Sequence, residues 1–203
     1  KAGIIKLLAP AQNKSAYYGY ISSYPEGVRE NGGQYTHAAA WYVKSVAAVD
    51  AVITDSQGKK YSAYDLLDLI NPISKNLTQE GAQMYKGEPY VLAGDVYANK
   101  DNYGRMCWSW YSGSASILYD TIVRDFLGIT IQGKVMSFSR PKLKDWSGTK
   151  VNYRRNGSVY SITFEEGREN CVEIQGVKIM GDTAIQLEED AGVREIKVIF
   201  AVK

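Results

Sequence analysis

The chain has 203 residues, of which 45% are hydrophobic and 23% charged, so it can form one large domain or two small ones. Its net charge of +2 is too small to predict nucleic acid as a partner, and no apolar run reaches the ~18 residues of a membrane-spanning helix. Cys107 and Cys171 have no metal-ligand spacing. They predict reduced thiols in a cytoplasmic protein, and no metal site.

The aromatic residues are mostly those with a polar tip. There are 16 Tyr and 4 Trp against 4 Phe. Such rings stack on sugars in binding clefts, but they are also common in any half-buried sheet. The composition alone therefore leaves both a sugar site and ordinary packing open.

Residues 24–41, which read YPEGVRENGGQYTHAAAW, contain the single histidine of the sequence, His37. Residues 1–33 are rich in Gly, Pro, Ser and Tyr and predict a long loop. The run of small residues that follows predicts a helix over 35–49. Polar groups therefore gather where a loop meets a helix N-terminus, which is a natural place to hold an anion.

Three further helices are predicted before residue 100. Residues 62–70 have helical periodicity, with Ser62 as the cap and Pro72 as the terminator. A short helical segment is expected near 78–85. The apolar stretch 88–97 predicts a buried helix that begins at Pro89, because proline suits a first helical turn.

Two other segments complete the helical part of the prediction. The connection 50–60 is expected to contain a short helical turn before Gly58. A strong helix is expected to follow Ser112 and Gly113 and to run to Phe126, where Gly128 closes it.

After Gly128 the apolar period changes from that of a helix to that of a strand. Asn156-Gly157 predicts a hairpin, and Gly181-Asp182 a second tight turn. The predicted strands are 129–131, 135–138, 150–154, 170–175, 177–180, 183–187 and 194–202. The chain is therefore predicted to be α+β, helical to residue 128 and all-β after it, with two packed domains.

Four ordered motifs carry a family resemblance. Besides residues 24–41 they are LINPI at 69–73, EPYV at 88–91 and WSWYSGSA at 108–115. Together they resemble glycoside hydrolase family 94, whose members are inverting glycoside phosphorylases. Within that family, the amino-acid sequences of these motifs are most similar to those in the C-terminal domain of cyclic β-1,2-glucan synthases and in β-glucan phosphorylases.

The resemblance implies an architecture and a missing catalytic group. Residues 1–128 would be the C-terminal helices of an (α/α)6 barrel, and 129–203 an antiparallel, jelly-roll-like β-sandwich domain. The family's general acid is an aspartate in a motif similar to Asp-Trp-Asn-Asp-Gly, which does not occur here. We therefore expect no catalytic residue in this chain. The acid is expected in a missing N-terminal part of the same polypeptide, which leaves the isolated chain inactive.

The resemblance also implies a phosphate site formed by His37, Ser112 and Gly113. The family uses inorganic phosphate as co-substrate and needs no cofactor. A hydroxyl and free N–H groups at a helix N-terminus bind anions well, and an imidazole adds a hydrogen bond. Alternatives remain: His37 as a structural histidine, and Ser112 or Ser114 as a simple helix cap.

The acceptor-side sugar would be bound by Arg29, Glu30 and Tyr24. Charged groups hydrogen-bond vicinal hydroxyls well, although an ordinary loop ion pair and a packed tyrosine explain the same residues. Disaccharide-specific members of the family have a glutamine shortly after the Pro-Tyr-Val motif. Here residues 93–95 read Ala-Gly-Asp, which favours the β-1,2-glucan group.

The function implied is phosphorolysis of β-glucan oligosaccharides, with β-1,2 linkages favoured and α-glucose 1-phosphate as product. One alternative is a non-catalytic glucan-binding module. Another is a structural or regulatory domain of a cyclic glucan synthase. Because an incomplete barrel exposes apolar surface, the chain is expected either to self-associate as a homo-oligomer or to depend on its β domain for stability.

Overall fold

The computed structural model describes residues 3–13, 17–110, 112–181 and 183–202, with Ser112 described by its backbone alone. The chain divides into two compact units, Lys1–Thr121 and Ile122–Lys203. The domain boundary at residue 128 stays a prediction. The mixture of helices and strands confirms the α+β class. The barrel and the jelly roll stay predictions.

The helices of the first unit lie largely where the sequence predicts them. They are α1 (Thr36–Val49), α2 (Ala63–Ile70), α3 (Pro72–Lys75), α4 (Gln79–Tyr85) and α5 (Ser112–Asp120), preceded by a 3-10 helix at Gly19–Ser23. The chain continues from α5 as a π-helical segment, Thr121–Phe126, and Gly128 follows with a φ of +71°. No helix in the described ranges is long and apolar enough to cross a membrane.

Local chemistry explains where α2 and α3 begin. Ser62 Oγ accepts a hydrogen bond from Asp65 N, and the Asp65 carboxylate accepts one from Ser62 N, which completes a capping box. Asn71 Oδ1 accepts from Ile73 N and caps α3. Pro72 therefore begins a new short helix as well as ending the previous one, since a first-turn proline lacks only an N–H that has no partner there.

Two helical predictions in the first unit are wrong, because each of those segments contains strand and turn residues instead of a helix. The first unit contains β1 (Gln34–Tyr35), β2 (Ile53–Thr54), β3 (Lys60–Tyr61), β4 (Ala93–Val96) and β5 (Met106–Ser109). The buried helix expected from Pro89 is instead the fully buried β4, which pairs on both edges. The helical turn expected before Gly58 is a β2–β3 hairpin, whose turn is held by Asp55 Oδ1 accepting from Gln57 N and Lys59 N.

The three-stranded sheet β1-β4-β5 sets the direction of two helices. β1 and β5 both pair antiparallel with β4, from opposite sides, so they run in the same direction. α1 begins directly after β1, and α5 begins three residues after the end of β5. The N-termini of both helices therefore leave the same edge of the sheet. Farther along, Lys44 Nζ lies 2.7 Å from Asp120 Oδ2 and joins the two helices side by side.

The second unit contains two sheets. Its strands are β6 (Ile129–Gln132), β7 (Val135–Phe138), β8 (Lys150–Arg155), β9 (Ser158–Gly167), β10 (Cys171–Ile174), β11 (Val177–Met180), β12 (Ala184–Gln186) and β13 (Val193–Ala201). They form a five-stranded sheet in the order β11-β10-β13-β9-β8 and a three-stranded sheet in the order β12-β7-β6. The Asn156-Gly157 hairpin between β8 and β9 is confirmed, with φ values of 47° and 84°.

The expectation of an entirely antiparallel domain is wrong at one pair. β9 and β13 run parallel from Val193↔Val159 to Ala201↔Gly167. Three strands, β10 to β12, lie between β9 and β13 in the sequence. After them, β13 pairs with β9 and runs in the same direction. Alternation of apolar residues shows which face of a strand is buried but not its direction. Of the turn predicted at 181–182, Gly181 has a φ of 72°, and Asp182 lies outside the described residues.

One hydrophobic core joins the two sheets of this unit. Along β9, buried residues alternate with partly exposed ones as expected for a strand with one inner face. The core contains residues from both sheets, among them Ile129, Met136, Phe138, Tyr160, Ile162, Phe164, Ile185, Val198 and Phe200. Tyr160 is fully buried, and its hydroxyl donates to Glu188 O and accepts from Glu188 N, each at 2.6 Å.

We predict that Tyr160→Phe destabilises the protein by about 1–3 kcal/mol, because it leaves two backbone groups of Glu188 without this partner. Tyr153→Phe is the matched control, since this half-buried ring lies 6.4 Å from Tyr160 and the substitution removes the same atom. Urea denaturation of the two variants measures the difference. Equal free energies of unfolding would contradict the structural role of the Tyr160 hydroxyl.

Candidate functional site

His37 and Gly113 lie against each other, although 75 other residues separate them in the chain. Each is the second residue of its helix, α1 or α5. A Cβ atom built on Gly113 would lie 3.2 Å from His37 Cε1 and 3.5 Å from Nδ1. The structure thus brings together two of the three residues predicted to bind phosphate. Ser112 begins the same helix, but its side chain lies outside the described part of the protein.

The orientation of the imidazole is set by Trp41, one turn farther along α1. Trp41 Nε1 donates a hydrogen bond to His37 Nε2 at 3.3 Å. Because indole is a donor only, Nε2 acts as the acceptor and the neutral ring carries its proton on Nδ1. Nδ1 is therefore a hydrogen-bond donor close to the start of α5. This contact between Trp41 and His37 was not predicted from the sequence.

The start of each helix favours a negative charge. Neither α1 nor α5 has an acidic residue in its first turn, and no side chain caps the N-terminus of α1. First-turn N–H groups have no partner within their helix, and the helix dipole places partial positive charge there. Two such ends side by side, with a donor from His37, form a site that suits an oxyanion.

Arg29 and Tyr24 form a second cluster on the loop that precedes β1. The Arg29 guanidinium lies 5.7 Å from the centre of the Tyr24 ring, and its Nη1 lies 3.4 Å from the Tyr24 hydroxyl. Its Nε lies 3.6 Å from Asp95 Oδ1. Arg29 thus forms an ion pair with a residue of β4, a partner that was not predicted from the sequence.

The backbone of this loop is tightly constrained. Asn31, 2% exposed, accepts from Gln12 N and donates to the carbonyls of Gln12 and Tyr24. A Cβ on Gly33 would lie 2.7 Å from Arg29 N, so only glycine fits there. Arg29 itself has a φ of 48°, which is uncommon for a residue with a side chain. The Asn-Gly-Gly run of the motif therefore fixes the position from which the Arg29 side chain extends.

Glu30 lies in the same loop, and only one of its two carboxylate oxygens accepts a hydrogen bond from the described residues. Tyr20 donates to Glu30 Oε1 at 3.4 Å, and the nearby carboxylate raises the pKa of Tyr20. Glu30 Oε2 is buried and has no hydrogen-bond partner among the described residues. A buried carboxylate oxygen without a donor is costly, and a ligand hydroxyl is a group that can satisfy it.

Asp95 is the residue that sequence reasoning missed. It is 1% exposed at the centre of the sheet, paired with Tyr35 on β1 and with Cys107 on β5. Burial raises the pKa of its carboxyl to about 6, although the charge of Arg29 opposes the shift. The signal available in the sequence was a lone acid inside the apolar run 91–96.

The two clusters are connected through β1. Asp95 pairs with Tyr35, and the Tyr35 ring lies 6.5 Å from the His37 ring. Asp95, the ion-pair partner of Arg29, and Tyr35, whose ring lies near His37, are thus neighbours in one sheet. A common open rim for both clusters stays a prediction.

We predict that Asp95→Asn stabilises the protein at pH 8 by about 1–3 kcal/mol relative to wild type. An acid with a raised folded-state pKa destabilises the fold where it is ionised, and this penalty disappears as the pH falls from about 6 to below the unfolded pKa near 4. The advantage of the variant should therefore shrink over that range.

Thermal unfolding between pH 4 and pH 8 measures this difference. Asp101→Asn, at an exposed position, is the control and should show no such trend. A variant less stable than wild type at pH 8 would contradict the prediction.

The sequence of the chain identifies its class. Residues 1–128 match the profile of the glycosyl hydrolase 94 superfamily, catalytic domain, and the chain belongs to this superfamily. It is 40% identical over 162 residues to the cyclic beta-(1,2)-glucan synthase NdvB of Rhizobium meliloti (strain 1021), a match that covers 79% of the chain and 5% of that protein.

Two phosphorylases are more distant relatives. The chain is 24% identical to the 1,2-beta-oligoglucan phosphorylase of Listeria innocua serovar 6a (strain ATCC BAA-680 / CLIP 11262), over 74% of the chain and 14% of that enzyme. It is 20% identical to the N,N'-diacetylchitobiose phosphorylase of Vibrio furnissii, over 90% of the chain and 22% of that enzyme. The chain therefore spans less than a quarter of the length of these relatives.

The described residues show no metal centre. No group of three or more His, Cys, Asp or Glu side chains among them is arranged to hold a metal ion. Cys107, which is half-buried, and Cys171, which is buried, form no disulfide.

Proposed function

We propose that the chain is the C-terminal portion of an inverting glycoside phosphorylase that acts on β-glucans, with β-1,2 linkages favoured. In this reaction a phosphate oxygen bonds to the anomeric carbon, the glycosidic bond breaks, and α-glucose 1-phosphate is released. The observation that carries the proposal is the contact of His37 with Gly113 where two helices begin. The similarity to the 1,2-beta-oligoglucan phosphorylase of Listeria innocua agrees with the proposal.

Phosphate is already a nucleophile, so the protein must supply charge and placement more than a strong base. His37 Nδ1–H and the first N–H groups of α5 would donate to the phosphate oxygens, and the Ser112 hydroxyl would add a further donor. No carboxylate in either first turn competes for these donors. The proton for the leaving oxygen would come from an aspartate in an upstream part of the polypeptide.

The acceptor-side sugar would contact Arg29, Glu30 and Tyr24. Arg29 can donate to vicinal hydroxyls, the free Glu30 Oε2 can accept from one, and the Tyr24 ring lies beside them. Tyr90 and Trp110, each 73% exposed with ring centres 6.3 Å apart, add aromatic surface of the kind that stacks on pyranose rings.

The rest of the assembly follows from this proposal. Residues 1–128 would contribute the last helices of an (α/α)6 barrel, and 129–203 a jelly-roll-like domain. The partners would be a β-glucan oligosaccharide, phosphate and the upstream part of the same polypeptide. Phosphate would be a co-substrate, with no further cofactor. The isolated chain would bury its exposed apolar surface by self-association.

We predict that His37→Ala weakens binding of inorganic phosphate by about 10- to 150-fold, the effect of losing a hydrogen bond to a charged ligand. Gly113→Ala should also weaken it, because the new methyl group would press on the imidazole from 3.2 Å. Alanine is a better helix former than glycine, so this loss would not reflect a weaker α5.

Calorimetric titration with inorganic phosphate measures the phosphate affinity of both variants and of the wild-type chain. Ala115→Ser, at an exposed position of the same helix, serves as the control and should bind as wild type does. Unchanged phosphate affinity in both His37→Ala and Gly113→Ala would refute the phosphate site.

We also predict that the 203-residue chain alone releases no glucose 1-phosphate from β-1,2-glucan oligosaccharides and phosphate. General acid catalysis contributes about 10²- to 10⁴-fold, and no motif for the acid occurs in the sequence. The 1,2-beta-oligoglucan phosphorylase of Listeria innocua is a suitable positive control. Release of product by the purified chain would contradict this prediction.

A second candidate function is glucan binding without catalysis, or a structural or regulatory role within a cyclic glucan synthase. The similarity to NdvB, of which the matched part is only 5%, favours this alternative. It predicts that the chain binds β-1,2-glucan oligosaccharides with an affinity that phosphate does not change. A phosphate-binding chain would favour the phosphorylase instead.

A further inference from the structure

Asp95 carries a buried carboxylate whose charge partner is a loop residue. Its side chain is 1% exposed, whereas the paired Arg29 side chain is 22% exposed. Oδ1 has no hydrogen-bond partner among the described residues, because Arg29 Nε at 3.6 Å is slightly too far for one. The ion pair therefore links the interior of the sheet to the protein surface.

Arg29 is held from two sides. Its backbone is fixed by the φ of 48° and by Gly33 N, which donates to Arg29 O at 2.9 Å. Its guanidinium lies between the Asp95 carboxylate and the ring and hydroxyl of Tyr24. A flexible arginine side chain is thus given a defined direction, which reduces the entropy that a ligand must overcome to bind it.

We propose that Asp95 is a positioning residue of the sugar-binding site, and that its carboxylate holds the Arg29 guanidinium beside Tyr24 in the orientation that receives a sugar hydroxyl pair. This inference rests on the proposed function. Asp95 itself is too deeply buried to touch the sugar, so it acts through Arg29.

Stability alone does not explain an aspartate at this place. A buried charge is expensive to desolvate, and Asp95 Oδ1 has no hydrogen-bond donor among the described residues. Asparagine has the same shape without the charge and would fit the sheet at lower cost. A residue that reduces stability where a neutral one would fit is expected at a functional site.

The test is a double-mutant cycle on sugar affinity, with Asp95→Asn, Arg29→Gln and the double variant. The probe is sophorose, the β-1,2-linked glucose disaccharide, titrated into the chain by calorimetry. We expect Asp95→Asn to weaken sophorose binding by about tenfold, the lower end for a charge-assisted hydrogen bond, and to leave phosphate binding unchanged. We expect the double variant to bind no more weakly than Arg29→Gln alone.

Thermal unfolding of each variant separates positioning from structural damage. A positioning role predicts that Asp95→Asn binds sophorose less well while its melting temperature at pH 8 is equal or higher. Asp101→Asn, the exposed control, should change neither property. Additive losses in the double variant, or equal losses of sophorose and phosphate affinity, would overturn the inference.

The Arg29 Nε–Hε resonance provides a readout that needs no sugar. If Asp95 orients Arg29, Asp95→Asn shifts this resonance and speeds its exchange with water, and an unchanged resonance overturns the inference. If wild type binds no sophorose but the resonance responds, the proposed sugar site fails while the control of Arg29 by Asp95 stands. The failure of the function and the failure of the inference are thus distinguishable.

Discussion

The pairing of β4 with β1 on one side and β5 on the other is the constraint on which the candidate site depends. The three strands are short, yet their antiparallel pairing makes β1 and β5 point in the same direction. Each leads into a helix, and only this arrangement brings His37 and Gly113 into contact. The ion pair of Lys44 and Asp120 keeps the two helices side by side farther from the sheet. The proximity of His37 and Gly113 is thus a consequence of how the three strands pair.

The same sheet carries a charge at its centre. Asp95 pairs with Tyr35 and Cys107 across the strands and with Arg29 outside them. A buried carboxylate in a short sheet opposes folding, and the raised pKa of Asp95 is the measure of that opposition. The loop around Arg29 is correspondingly rigid, with Asn31 bonded to two separate chain segments. Rigid support and a destabilising charge therefore occur together at the proposed sugar site.

Many helix starts and turns could be predicted from the sequence, because they are determined by residues that are neighbours in the chain. The small-residue run after Thr36, the cap at Ser62 and the turn at Asn156-Gly157 each act within a few residues. The stretch at 93–96 could not be assigned in the same way, since an apolar run suits a buried strand as well as a buried helix. What decides between them is pairing with β1 and β5, one of which lies far away in the chain.

The candidate site was predicted to a similar extent. The motif resemblance identified His37 and Gly113, which the structure places in contact, and Arg29 and Tyr24, which it also places together. The roles of these residues stay predictions. Asp95 was missed, because a lone acid in the run 91–96 does not reveal the ion pair that it forms with Arg29, a residue far away in the chain.

The parallel pair of β9 and β13 has a consequence for the order in which the second unit folds. In the five-stranded sheet β13 lies between β10 and β9, although it is the last of these strands to be synthesised. Until residues 193–201 emerge from the ribosome, the sheet exists only as two separate hairpins, β8–β9 and β10–β11, each with an unpaired inner edge. Such edges are open to pairing with other chains. During translation, these two edges therefore stay open to such pairing until the strand that joins the two halves of the sheet arrives.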